Sequence, residues 1–191
     1  MSEREYRKQK RKMLLPQIIC IILTLISGAA FFLPFTTMDM PGDQQTALPF
    51  LEGIKVSTDS DITLADMFDT SLYTYTRIFY QHGKEIWHGE YDNVISAIVV
   101  GLPMLFTLFV LLFVLTRMPI PAILSAALMV GSIFFGRAVF NDYGVASVVG
   151  RYFSIGYGLY LGCAVVLCLS LFWLAVTKRL TKRAYKRMFL K

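Results

Sequence analysis

Four long apolar blocks constrain this chain more than any other feature of its sequence. They contain few charged residues, and each has about the 20 residues that a helix needs to cross a hydrocarbon core of about 30 Å. None has the polar face that a helix on the surface of a soluble protein requires. We therefore predict four transmembrane helices, over residues 13–35, 94–115, 120–140 and 153–176.

The charged residues indicate how these helices are oriented. Of the 19 Lys and Arg residues, 14 lie before the first block, after the fourth, or in the connection 116–119. Of the 13 Asp and Glu residues, 11 lie in segments 36–93 and 141–152. Because Lys and Arg collect on the cytoplasmic side of membranes, we expect the termini, 1–12 and 177–191, to be cytoplasmic. The net charge of +6 then does not indicate nucleic-acid binding.

The cysteines and the glycosylation motifs bear on the cellular location. All three cysteines, Cys20, Cys163 and Cys168, fall inside predicted spans, so the outer segment has no disulfide framework. The chain also lacks an Asn-x-Ser/Thr acceptor. Both features favour the bacterial cytoplasmic membrane.

The outer segment 36–93 is too long for a structureless loop. Residues 72–80 are rich in β-forming side chains, and 85–91 offers a returning strand, so we favour a β-hairpin. A short helix ended by Gly83 is the alternative. The predicted fold is an all-α four-helix transmembrane bundle with a small extracytoplasmic α+β cap.

Two resemblances accompany this layout. The long first outer loop, short inner turn and short second outer loop resemble the claudin-like four-helix architecture, although Trp87 is the only Trp in the loop and the claudin signature is absent. The resemblance implies a small sheet on the helices and does not carry over a barrier function. Phe32-Leu-Pro-Phe35 and Gly156-Tyr-Gly158-Leu-Tyr160 resemble segments of small uncharacterised membrane proteins of Gram-positive bacteria.

Small residues in the fourth span form the packing motif Gly158-x-x-x-Gly162, which lets helix backbones approach closely. It is interpreted first as internal packing of the first and fourth spans, with Gly28 opposite. The functional alternative is a docking face for a partner protein, with Tyr73 and Tyr75 of the outer segment as further contacts.

Charged and histidine residues supply the remaining candidate sites. Arg137, at membrane depth, needs a partner or a route to water, and its nearest candidate partner is Asp142. Arg137, Asp142 and Arg151 together are the candidate residues of an ion-pair or ligand site. His82, Glu85 and His88 would be the ligands of a metal. Their spacing matches no zinc motif, so we do not expect one.

The sequence contains no phosphate-binding loop, nucleophile elbow or HExxH motif. We therefore expect no cofactor and a non-catalytic membrane protein: an accessory, scaffold or immunity-type subunit that binds a protein partner or forms a homo-oligomer. A small channel or transporter using Gly101, Pro103 and Arg137 is the alternative, and a metal-dependent membrane enzyme is the third. The basic, amphipathic C-terminal tail suits anionic lipid.

Overall fold

Helices make up most of the described chain. The computed structural model describes residues 7–8, 11–37, 55, 63, 69–142, 152–153 and 155–189. In chain order the elements are α1 (Leu14–Ala30), β1 (Pro34–Thr37), β2 (Asp69–Ser71), α2 (Leu72–Ile86), α3 (Asn93–Leu115), α4 (Pro119–Asp142), β3 (Tyr152–Phe153) and α5 (Ile155–Phe189).

Among the described residues, three helices are long and apolar enough to cross a membrane. They comprise Asn93–Leu115, Pro119–Ala138 and Ile155–Arg183. Helix α1 is equally apolar but has 17 residues, which corresponds to a length of about 26 Å. Helix α5 continues to Phe189, so the basic tail predicted from residue 177 extends the same helix without a break.

The four apolar helices contact one another in a ring. Helix α1 packs against α3 and α5, and α4 packs against the same two helices. Their common interior is mainly apolar and contains Val110, Met129, Leu167 and Leu171, all fully buried. Large apolar side chains also cover the outside, as at Phe172, which is 67% exposed. A helix with apolar side chains both on the side facing the other helices and on its outward side is typical of a helix that contacts lipid.

The first helix ends earlier than the predicted span 13–35. Pro34 disfavours the helical conformation at Leu33, and α1 ends at Ala30. The chain then enters β1, the central strand of a three-stranded sheet of order β2-β1-β3. Both pairings are antiparallel, with Thr37 opposite Asp69 on one side and opposite Tyr152 on the other.

The favoured β-hairpin over 72–91 is wrong, because residues 72–86 form helix α2. Ser71 caps this helix, since its side chain accepts a hydrogen bond from the Thr74 amide at 3.0 Å. Leu72, Tyr75 and Phe79 recur at helical spacing and are buried. The β-forming composition is thus overridden by a cap and a helical apolar stripe. The alternative of a short helix is closer to the structure: the helical backbone is interrupted at His82, next to Gly83, with φ −123° and ψ 18°, and after this kink α2 continues to Ile86.

Only part of the predicted cap is described. Within 36–93, the structure describes the end of β1, β2, α2, the turn to α3, and an isolated antiparallel bridge between Lys55 and Thr63. The sheet that is present joins the chain segments after α1, before α2 and before α5. It therefore differs from the predicted hairpin in both position and strand composition.

Candidate functional site

The two short motifs singled out in the sequence meet at one junction. At Gly156 an added Cβ would lie 2.6 Å from the Pro34 carbonyl oxygen and 2.9 Å from that of Leu33. Beside this contact, the rings of Phe35 and Tyr157 pack edge to face with centroids 5.2 Å apart. Only glycine permits this approach, so the start of α5 is fixed against the entry to β1.

A buried polar contact joins α3 to α5 below this junction. The Tyr160 hydroxyl donates to the Pro103 carbonyl oxygen at 2.9 Å and lies 3.0 Å from Thr107 Oγ1. Thr107 Oγ1 also lies 2.8 Å from the Pro103 carbonyl oxygen, so its one proton is donated either to that oxygen or to the Tyr160 hydroxyl oxygen. Tyr160 is fully buried, so its hydroxyl needs these partners.

Two of the residues suggested for a transport path, Gly101 and Pro103, are packed against neighbours. Pro103 is buried, and its carbonyl oxygen accepts the bonds just described. A Cβ at Gly101 would lie 3.8 Å from Cγ2 of Thr76, an ordinary van der Waals distance. These two residues therefore make close contacts with α5 and α2 in the described structure.

An aromatic edge lies where α1 ends and α2 begins; it comprises Phe32, Tyr73 and Arg77. The rings of Phe32 and Tyr73 are exposed, with centroids 5.4 Å apart. The Arg77 guanidinium carbon lies 5.9 Å from the Tyr73 centroid, within the range of a cation–π contact. Tyr75, by contrast, is 2% exposed and does not contribute to this surface.

Gly158 and Gly162 do not pack the first and fourth spans together. A Cβ at either position would have nothing within 4 Å, and the same holds for Gly28. Helices α1 and α5 do pack, but on another face of α5, where Cys163, Ala164 and Leu167 are buried. The two glycines belong to what we call the outer face of α5, an exposed stripe that comprises Gly158, Gly162, Val165, Leu169 and Phe172.

The predicted ion-pair residues are only partly described. Arg137 is exposed near the end of α4, and Asp142 is the last residue of that helix. Arg151 and the side chain of Asp142 lie outside what the structure describes.

The segment 82–92, which contains both histidines, forms the end of α2 and the turn to α3. His82 Nδ1 lies 3.2 Å from Glu85 Oε2, whereas His88 is exposed in the turn after α2, with a φ of 54°. Asn93 accepts from the Lys84 amide at 2.9 Å and thereby ties the two helices together. Among the described residues, no three His, Cys, Asp or Glu side chains are grouped so that they could hold a metal ion.

The opposite end of the helices carries a cluster that the sequence did not predict, the basic-end cluster of Gln17, Arg117 and Lys178. Gln17 is 8% exposed; its Nε2 donates to the Val114 carbonyl at 3.2 Å, and its Oε1 accepts from Arg117 Nε at 3.1 Å. Lys178 Nζ donates to the Arg117 carbonyl oxygen.

Two sequence features could have indicated this cluster. Gln17 is the only amide side chain in the first apolar block, and a polar side chain at that depth requires partners. Arg117 is the one basic residue in the connection 116–119, where its charge indicates only the orientation of the helices. Its position directly after a helix, where glycine is common, is the second feature.

The comparisons with known proteins give no relative. No protein-family model, curated protein or solved structure matches this chain.

Proposed function

We propose that this chain is a non-catalytic integral membrane protein that binds a protein partner, as an accessory, scaffold or immunity-type subunit. In this proposal α1 is a fourth transmembrane helix, the basic termini are cytoplasmic, and the membrane is the bacterial cytoplasmic membrane. The ring of contacts among α1, α3, α4 and α5 supports a four-helix bundle. The claudin-like layout remains a proposal about architecture.

The outer face of α5 is the observation that carries the proposal. Glycine inside a helix costs about 1 kcal/mol relative to alanine, and contact with lipid does not require it. Gly158 and Gly162 nevertheless both face open space, one helical turn apart. Outward-facing glycines at this spacing allow the backbone of another helix to approach closely. Large apolar side chains continue the same stripe over the next three turns.

The aromatic edge is the second proposed contact. Exposed aromatic rings beside an arginine are enriched in protein interfaces. Here the rings of Phe32 and Tyr73 lie next to Arg77, at the junction of two chain segments. No observation within the described residues favours a transport path or a metal-dependent enzyme to the same degree.

The test is purification of the tagged protein from its native host in mild detergent, followed by mass spectrometry and size analysis. We expect a stoichiometric partner that is lost when Gly158 and Gly162 are both changed to Leu. The matched control changes Gly131 and Gly136 of α4 to Leu, because a Cβ there also meets nothing within 4 Å. The control variant should retain the partner.

Three results would speak against the proposal. If the protein purifies from the native host as a lone monomer, it has no stable partner, and the alternatives of a transporter or a metal-dependent enzyme are favoured. A partner retained by the Gly158→Leu/Gly162→Leu variant would exclude the outer face of α5. Equal loss in both pairs of variants would indicate a general effect of bulk at the helix surface.

A further inference from the structure

The turn between α3 and α4 places a side chain where helices ordinarily have glycine. The Arg117 amide donates to the Val114 carbonyl at 3.1 Å and the Met118 amide to that of Phe113 at 2.7 Å, which is the Schellman pattern of a helix end. Arg117 has a φ of 57°, which disfavours any residue with a Cβ. Glycine would suit this backbone better, so the reason for arginine lies in its side chain.

The Arg117 side chain is held in one direction. Its Nε donates to Gln17 Oε1 at 3.1 Å, and Gln17 is itself fixed by the hydrogen bond to the Val114 carbonyl. The two terminal guanidinium nitrogens have no hydrogen-bond partner among the described residues. A half-buried guanidinium fixed through Nε thus keeps the four N–H donors of its terminal nitrogens for another group.

Lys178 adds a second cation at the same place. Its Nζ donates to the Arg117 carbonyl oxygen, and it is also half-buried. The acidic side chains that the structure describes, Glu85, Glu90 and Asp92, lie in α2 or in the turn before α3, at the far end of a helix about 34 Å long. Among described residues no carboxylate therefore neutralises this pair, and half-buried charges require a counter-ion.

We propose that Arg117 and Lys178 bind the phosphate of an anionic phospholipid headgroup. Guanidinium and ammonium groups are the usual donors to phosphate oxygens. A lipid is favoured over free phosphate because the neighbouring side chains of Leu115, Met118 and Ile120 are apolar and exposed, and acyl chains would cover them. This site is separate from the proposed protein partner and does not depend on it.

The test uses the full chain in mild detergent, titrated with phosphatidylglycerol, phosphatidylcholine and inorganic phosphate and observed by native mass spectrometry. We expect phosphatidylglycerol to bind most tightly. Arg117→Gln and Lys178→Gln should each weaken it about tenfold, the effect of losing a hydrogen bond between charged groups. Lys182→Gln, an exposed cation one turn further along α5, is the matched control and should weaken binding by about fivefold at most.

A glycine at position 117 fits the positive φ of the backbone there, so the Arg117→Gly variant distinguishes a loss of lipid binding from a loss of folding. Arg117→Gly should keep the thermal midpoint measured without lipid, because glycine relieves the positive φ, but should lose the rise that phosphatidylglycerol produces. A folded Arg117→Gly protein with unchanged phosphatidylglycerol affinity would overturn the proposal, whatever the glutamine variants do.

The remaining outcomes are also decisive. If Lys182→Gln weakens binding as much as Arg117→Gln does, the attraction is diffuse surface electrostatics and no built site exists. If inorganic phosphate binds as tightly as phosphatidylglycerol and displaces it, the assignment to a lipid is wrong and the ligand is a free phosphate.

Discussion

Three glycines of one helix should respond to the same substitution in opposite directions. Gly156, Gly158 and Gly162 lie within two turns of α5, and alanine adds one methyl group at each. At Gly156 this methyl would lie 2.6 Å from a backbone oxygen, about 0.8 Å closer than the 3.4 Å at which ordinary contact begins. Both nearest atoms are carbonyl oxygens of β1 and the turn before it, so no side chain can rotate away. At the other two positions the methyl meets open space.

The magnitudes follow from these distances. Forcing an extra methyl into a packed contact typically costs about 1–3 kcal/mol, which is our expectation for Gly156→Ala. Removing glycine from a helix interior gains up to about 1 kcal/mol, so Gly158→Ala and Gly162→Ala should be neutral or stabilising. The difference between Gly156→Ala and either of the others should therefore reach about 1–4 kcal/mol.

The assay can use cysteines that the chain already has. Cys20 and Cys163 are buried free thiols, so a thiol-reactive fluorogenic dye reports their exposure as the detergent-solubilised protein unfolds. A denaturant titration of the same variants gives the free energies of unfolding. A Gly156→Ala protein as stable as the wild type would refute the close approach of α5 to β1. Equal destabilisation at Gly158 would refute the open outer face of α5.

Two further predictions test single contacts, and a third tests the orientation of the chain in the membrane. A double-mutant cycle of Tyr160→Phe and Thr107→Val should give a coupling energy of about 0.6 kcal/mol, and a value near zero would argue against the contact between α3 and α5. Ser71→Ala should lower the free energy of unfolding by about 1 kcal/mol through loss of the α2 cap, while Ser71→Asp should restore it. In a cysteine-free background, Arg77→Cys should react with an impermeant maleimide added outside cells and Lys182→Cys only after lysis. Labelling of both from one side would contradict the proposed orientation.

The long apolar helices were predictable because length and hydropathy decide them. Helices α3 and α4 begin or end within two residues of the predicted blocks 94–115 and 120–140, since both meet at the turn around Arg117. The end of α1 was predicted less well. Its apolar residues continue to Phe35, but Pro34 disfavours a helical backbone before that point. Apolar composition alone therefore does not show where the helix ends and the strand begins.

The conformation of residues 72–80 could have been derived from the sequence and was not. Aromatic and β-branched residues suggested a strand, although Ser71 is a good cap and Leu72, Tyr75 and Phe79 already have helical spacing. Packing of α2 against α3 then stabilises the helical conformation. Gly83 lets α2 approach α3 so closely that a Cβ would lie 2.6 Å from Ser96 Cβ.

The candidate sites were harder, because an apolar helix shows no periodic pattern. Nothing in the sequence of α5 distinguishes the face with Gly158 from the face with Ala164, yet the first is exposed and the second is fully buried. The basic-end cluster joins Gln17 to Arg117, residues 100 positions apart. Such a pairing depends on which helices become neighbours, and a single sequence does not specify that.

The central position of β1 also sets an order of assembly. Thr36 of β1 pairs with Phe153 of β3. Because β3 lies just before α5, β1 cannot complete this pairing until that part of the chain has been synthesised. The hairpin of α3 and α4 needs only a short turn and can form well before that, because local contacts cost less loop entropy. During synthesis, β1 therefore retains an unpaired edge until the start of α5 emerges. A chain truncated before Tyr152 would leave that edge permanently open.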